Sequence, residues 1–245
     1  MLDAYSVHQR GSMTPAVVQT GRWDHAFFST MSVAMVTVVG IGFSRTYPAR
    51  IAAGPVSPLV HLHAALFAGW MLLFLAQALL VAQGKARWHR RVGVGVSFVA
   101  VVILLSGTVT AIVAVRHGFP PGGPIAPVVF LLAVPLRDMV VFAALTGAAI
   151  VRTRDVQTHK RLMLMATLGG LVPAGAGRFS TPFGLVYWSV MLGLLAAGPV
   201  YDWVSHQRVY GAYIWGIAVT LVSWPVFSAL AQTSGWQSFA QALIE

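Results

Sequence analysis

The chain has 245 residues, of which 57% are hydrophobic and only 9% are charged, and its mean hydropathy is +0.75. Soluble domains have about 25% charged residues, so this composition excludes a soluble globular domain and predicts an all-α, multi-pass membrane helical bundle. The net charge of +10 does not indicate a nucleic-acid partner, because the cations lie in short loops between apolar segments. The absence of cysteine excludes disulfides and thiolate metal sites.

A membrane helix needs about 20 mainly apolar residues. The sequence predicts seven such helices, at 26–44, 57–82, 92–115, 125–151, 160–178, 183–204 and 212–232. Residues 1–25 are expected to form a cytoplasmic N-terminal segment, 26–232 the seven-helix membrane domain, and 233–245 a short C-terminal segment on the outer side. The first 22 residues lack a signal-peptide pattern, so the first helix is expected to act as an uncleaved anchor.

The distribution of Lys and Arg predicts the orientation of the chain. Of the 16 cations, 11 lie on the side of the N-terminus, four lie on the opposite side, and Arg137 lies within the fourth predicted helix. The positive-inside rule therefore predicts a cytoplasmic N-terminus and an outer C-terminus. The expected location is the bacterial inner membrane, which the chain would cross several times.

The second predicted helix carries a polar stripe. His63, Trp70 and Gln77 are spaced by seven residues and therefore share one face of the helix. One interpretation makes His63 a ligand or proton carrier below the outer surface, and the other gives it an interhelical hydrogen bond. His61 lies about 200° around the helix from His63, so it is expected to serve a different site.

Arg137 and Asp138 fall near the middle of the fourth predicted helix, just after Pro135. An unpaired charge at this depth costs at least about 3 kcal/mol, which predicts either a structural ion pair or a functional site. Because neighbours on a helix are about 100° apart, each charge is expected to need a partner elsewhere. The fifth predicted helix is expected to make a tight contact or to be a broken helix lining a cavity. Its small and helix-breaking residues are Gly169, Gly170, Pro173, Gly175 and Gly177.

Two similar boxes precede the third and fifth predicted helices, namely His89-Arg90-Arg91 and His159-Lys160-Arg161. A helix N-terminus with adjacent cations favours an anion, so Arg90, Arg91, Lys160 and Arg161 are candidates for anionic-lipid contacts. The same surroundings favour neutral imidazole, the form that binds iron or accepts a proton. Both helices enter from the cytoplasmic side, so the two histidines are predicted at one depth, which permits a bis-histidine haem. In the other interpretation, the cations only set the membrane topology and the histidines lie at the membrane interface without a ligand.

Several motifs are spread along the chain: His61-Leu62-His63, Phe67, Trp70, Gln77, Trp88 to Gly93, Pro135, Asp138, Phe142, His159 to Thr167, Arg178, Tyr201-Asp202 and Ala212 to Gly216. Together they resemble a family of bacterial inner-membrane proteins of unknown function, common in proteobacteria, over nearly the whole chain. The resemblance implies a multi-pass membrane protein but no activity. Two departures are visible: Arg137 replaces an apolar or small residue, and Tyr210-Gly211 replaces a His-Pro pair.

Two function classes follow. The favoured class is a non-catalytic membrane component, such as an accessory subunit, transporter or sensor with anionic-lipid contacts. The alternative is a membrane redox protein that binds haem b or quinone, for which the candidate ligands are His63, His89, His159, Gln77 and Trp70. The expected partners are the bilayer with its anionic lipids, a membrane complex or a second copy of the chain, and not nucleic acid. The sequence assigns no catalytic residue.

Overall fold

The computed structural model describes residues 21–116, 128–179 and 184–244, so most of the predicted N-terminal segment lies outside the described residues. The described part is 88% helical and contains no strand. Its helices are α1 (Arg22–Ala52), α2 (Pro58–Ala82), α3 (Ala86–Arg116), α4 (Val128–Val151), α5 (Val156–Gly170), α6 (Val172–Ala176), α7 (Leu185–His206), α8 (Gly211–Ala231) and α9 (Ser234–Ile244).

Six of these helices are long and apolar enough to cross a membrane: α1, α2, α3, α4, α7 and α8. They match six of the seven predicted spans, and the chain is therefore a multi-pass helical membrane protein. Local signals explain several boundaries. Pro58 occupies the first turn of α2, where a missing N–H costs nothing, and Gly84 turns the chain after α2 with a φ of +72°.

The predicted fifth span, 160–178, is divided between α5 and the short α6, which meet at Leu171. Asp155 caps α5 by accepting a hydrogen bond from the Thr158 amide at 3.1 Å. The hydroxyl and amide of Thr158 hold the pKa of this carboxyl below its usual value. From Leu164 to Gly170 every residue of α5 is buried, because the helix packs among α1, α4, α7 and α8. It is thus the central helix of the bundle.

The two ends of the α5–α6 segment reach the two ends of α1. At one end, Lys160 Nζ lies 2.5 Å from an Asp24 carboxylate oxygen. At the other, Arg178 Nε donates to the Thr46 hydroxyl at 3.0 Å. Asp24 and Thr46 are separated by 22 positions on one helix, or about 33 Å at 1.5 Å per residue. The α5–α6 segment therefore runs beside about 33 Å of α1, a length comparable to the hydrocarbon thickness of a typical bilayer, about 30 Å. These ends are called the Asp24 end and the Thr46 end below.

The predicted C-terminal segment, 233–245, contains α9. This helix packs on α3 and α4, where Ala240 is buried against Ala111, Val115 and Leu132. The C-terminal residues thus form a folded helix rather than an extended tail.

Candidate functional site

A large cavity of about 1110 Å³ occupies the half of the bundle nearest the Thr46 end. Its walls are mainly apolar and come from α1, α2, α3, α4 and α6, and Tyr187 of α7 and Trp224 of α8 complete them. Small side chains on α2 and α3, among them Ala64, Ala68 and Ala111, create much of the space. Its polar lining consists of Ser44, Thr46, Tyr47, Arg50, His61, His63, Thr110, Asp138, Arg178 and Tyr187.

The buried charges at the cavity wall pair with each other. Arg137 is only 1% exposed, and one of its terminal nitrogens lies 2.6 Å from Asp138 Oδ1. The expectation that each charge needs a separate partner is therefore wrong for Asp138, because the long Arg137 side chain turns back to reach its neighbour. Asp138 itself lines the cavity.

Arg137 also connects α4 to α8. Its Nε donates to the Ser223 hydroxyl at 2.8 Å, another guanidinium nitrogen donates to the Thr220 carbonyl, and the group lies 4.8 Å from the centre of the Trp224 ring. These contacts satisfy the guanidinium that the sequence places at bilayer depth. A charge at this position requires such compensation.

His63 makes the interhelical hydrogen bond that one of its two interpretations predicts. Its Nδ1 lies 3.3 Å from the Ser106 hydroxyl on α3, which makes the interhelical hydrogen bond. Ser106 donates its single proton to the Ile103 carbonyl at 3.2 Å, so the hydroxyl accepts from His63 and Nδ1 carries the imidazole proton. This leaves Nε2 as an acceptor on a side chain that lines the cavity.

The other members of the polar stripe do not line this cavity. Trp70 is almost fully buried, donates from Nε1 to the Thr167 hydroxyl at 3.2 Å and packs edge-on against Phe142. Gln77 lies seven residues, or about two helical turns, further along α2 toward the Asp24 end. His61, by contrast, lines the same cavity as His63 and bonds the Tyr47 hydroxyl at 2.5 Å, so the expectation that it serves a different site is wrong.

The structure brings His89 and His159 together. Their ring centres are 6.5 Å apart and the ring planes are inclined at 79°. His159 Nδ1 lies 2.8 Å from the Ala149 carbonyl and donates to it, so the lone pair of the neutral imidazole tautomer lies on Nε2. Nδ1 of His89 is buried and has no hydrogen-bond partner among the described residues.

The cations of the two boxes have different surroundings. Arg90 and Arg91 are exposed, as a lipid contact requires. Arg161 is fully buried and holds Asp202 with two nitrogens, Nε at 2.9 Å and a terminal nitrogen at 2.5 Å. The expected lipid contact is therefore wrong for Arg161, because its guanidinium is enclosed by protein. Lys160 is engaged by Asp24 rather than directed freely at lipid.

The polar cluster that surrounds the Asp24 carboxylate was not identified from the sequence. Asp24 accepts hydrogen bonds from the Tyr201 hydroxyl at 2.7 Å and pairs with His206 Nε2 at 3.0 Å, besides its contact with Lys160. The sequence does contain one indication, because acidic residues are scarce and the chain has only six of them. Of these, Asp24, Asp138, Asp155 and Asp202 lie in the described part and each has a structural partner.

No family model matches the chain, and neither a curated protein nor a solved structure matches it. The geometry of the cavity and of the two histidines therefore carries the functional argument.

Proposed function

We propose that the protein is a non-catalytic component of the bacterial inner membrane that binds a lipophilic molecule with a hydrogen-bonding head group, as a carrier, sensor or accessory subunit. The cavity of about 1110 Å³ carries this proposal. Sites for drug-sized ligands usually measure about 300–1,000 Å³ and combine apolar walls with a few polar groups. From its motifs, we propose that the chain belongs to the family of inner-membrane proteins that it resembles.

The topology that we propose has seven crossings, with α5 and α6 together forming the fifth. Its support is the contact of this segment with both ends of α1, through Lys160 and Arg178. An odd number of crossings separates the two termini, and the 11-to-4 distribution of cations favours a cytoplasmic N-terminus. In this topology the Thr46 end is the outer end, so the cavity belongs to the outer half of the membrane.

The polar groups of the cavity suit recognition of a head group. His63 Nε2 offers an acceptor, and Asp138 presents a carboxylate that Arg137 already neutralises. Arg178 is held by Thr46 and stacks over Phe43 at 4.0 Å, which adds a fixed cation to the wall. Two kinds of molecule have such a head group: a quinol, whose hydroxyls donate hydrogen bonds, and a lipid with a polar head. In either case the apolar part of the molecule would lie along the alanine-lined walls.

The engagement of these side chains with structural partners favours binding over bond-making. His63 bonds Ser106, Asp138 bonds Arg137 and Arg178 bonds Thr46. A hydroxyl nucleophile needs an adjacent base that accepts its proton, whereas the Ser106 hydroxyl beside His63 donates its proton to the Ile103 carbonyl at 3.2 Å. Preformed hydrogen bonds instead hold each group in one orientation, as a binding site requires.

Native mass spectrometry of the purified protein, followed by lipid extraction, tests the proposal. The wild-type protein is expected to retain a lipophilic molecule, and Ala64→Phe, which fills the cavity, is expected to lose at least about 90% of it. Ala76→Phe is the matched control, because Ala76 is exposed on the same helix and does not line the cavity. Equal retention by the two folded variants would contradict the proposal.

A further inference from the structure

We propose that His89 and His159 form a second site, at the Asp24 end, which binds a transition-metal ion between two imidazoles on opposite sides of the ion. The ion is either haem iron or a bare ion such as copper. This site is separate from the cavity, because neither histidine lines it. The two residues come from the first turns of different helices, α3 and α5.

The distance between the rings fits ligands on opposite sides of one ion. An imidazole nitrogen lies about 1.2 Å from its ring centre, and metal–nitrogen bonds measure about 2.0–2.1 Å. Two opposed imidazoles therefore have ring centres about 6.4 Å apart, whereas the tetrahedral angle of a structural zinc site brings them to about 5.2 Å. The observed separation is 6.5 Å, which favours the opposed arrangement.

The hydrogen bonding of His159 is that of a metal ligand. Metal-binding histidines usually donate their second ring N–H to a carbonyl or carboxylate, which fixes the tautomer and directs the lone pair at the ion. The Ala149 carbonyl, 2.8 Å from Nδ1, has this position for His159. Imidazole ligands suit copper, zinc, iron and nickel.

Unpartnered buried groups give an independent indication of a missing ligand. Buried polar atoms in native proteins are nearly always hydrogen-bonded. His89 Nδ1 has no partner, and both side-chain polar atoms of Gln77 are buried without one. Gln77 is only 9% exposed, and its backbone adjoins the His89 ring. A metal ion between the two imidazoles would satisfy the His89 nitrogen. On a bare ion, a water or further ligand would also give the Gln77 amide a partner, whereas a haem iron held by both histidines has no position left for one.

Exposed cations adjoin the pair. Arg90 and Arg91 follow His89 directly and are exposed, while Arg91 also contacts the Trp88 ring. These guanidinium groups suit the two propionates of a haem, since charge-assisted hydrogen bonds between Arg and carboxylates are strong. With a bare ion they would remain solvated.

Metal analysis of the protein as purified, together with a pyridine haemochrome assay, tests the site. The two measurements also distinguish haem iron from a bare metal ion. Haem iron gives equal iron and haemochrome contents, and a bare ion gives metal without haemochrome. His89→Ala and His159→Ala are each expected to lower the bound metal at least about tenfold. His61→Ala, which lies at the opposite end, is the control and is expected to retain it.

A second measurement guards against loss of folding. In His89→Gly and His159→Gly, added imidazole is expected to restore binding of haemin or copper(II), as measured by visible absorption. The proposal is overturned if the wild-type protein holds less than about 0.1 metal per chain and binds neither probe, or if the histidine variants bind as the control does. Ala64→Phe leaves this site intact, so its result distinguishes failure here from failure of the cavity proposal.

Discussion

The buried pair of Arg137 and Asp138 gives a sharp prediction about stability. Side-chain exposure is 1% for the arginine and 9% for the aspartate, and the ion pair measures 2.6 Å. Asp138→Asn keeps the shape but leaves the guanidinium without a counter-charge, and arginine cannot release its proton. Breaking a buried pair in this way costs about 3–5 kcal/mol. We therefore expect Asp138→Asn to lower the free energy of unfolding by that amount.

The double variant Arg137→Met with Asp138→Asn is expected to be more stable than Asp138→Asn alone, because no charge then remains buried. The groups that Arg137 leaves also keep partners, since Ser223 donates to the Thr220 carbonyl at 2.9 Å. The expected coupling energy is about 2 kcal/mol or more.

Titration of dodecylmaltoside micelles with dodecyl sulfate, followed by tryptophan fluorescence, measures these free energies in a chain with eight tryptophans. Arg45→Met, at an exposed position, is the control and should change stability by no more than about 0.5 kcal/mol. If the effects of Arg137→Met and Asp138→Asn simply add, the pairing argument is refuted.

Two further predictions concern packing and topology. Gly42→Ala is expected to destabilise the bundle, because an added Cβ would collide with the backbone carbonyl of Gly175 on α6. Gly40→Ala is the control and should be tolerated, because its Cβ meets nothing within 4 Å. Unfolding in the same mixed micelles compares the two variants, and equal stabilities would contradict the tight α1–α6 contact. A C-terminal alkaline phosphatase fusion is expected to be active in the periplasm and a C-terminal fluorescent fusion dark, and the reverse result would contradict seven crossings from a cytoplasmic N-terminus.

Local patterns predict much of the architecture from sequence. Apolar runs give six of the long helices, and the glycines and Pro173 around Leu171 indicate the break between α5 and α6. Both interpretations of that segment apply: Gly170 leaves no room for a Cβ against Phe142, and Pro173 lines the cavity.

Contacts between distant residues could not be predicted in this way. Arg161 and Asp202 are 41 positions apart, and nothing in the His159 box distinguishes its enclosed arginine from Arg91, the exposed residue at the same position of the other box. The cavity depends on how seven helices pack, so its volume is a property of the assembled bundle. Topology does predict a common depth for His89 and His159, but the 6.5 Å separation requires the fold.

Thiol labelling tests the central claim, a lipophilic molecule within the cavity, most directly, because the chain contains no cysteine of its own. Ala64→Cys introduces a single thiol on the cavity wall, and Ala76→Cys introduces one on the lipid-facing side of the same helix. Removal of bound lipid by extensive detergent washing is expected to speed maleimide labelling of Ala64→Cys at least about fivefold, and returning the extracted lipid should slow it again. The labelling rate of Ala76→Cys should not change. Equal rates for Ala64→Cys before and after delipidation would contradict the account.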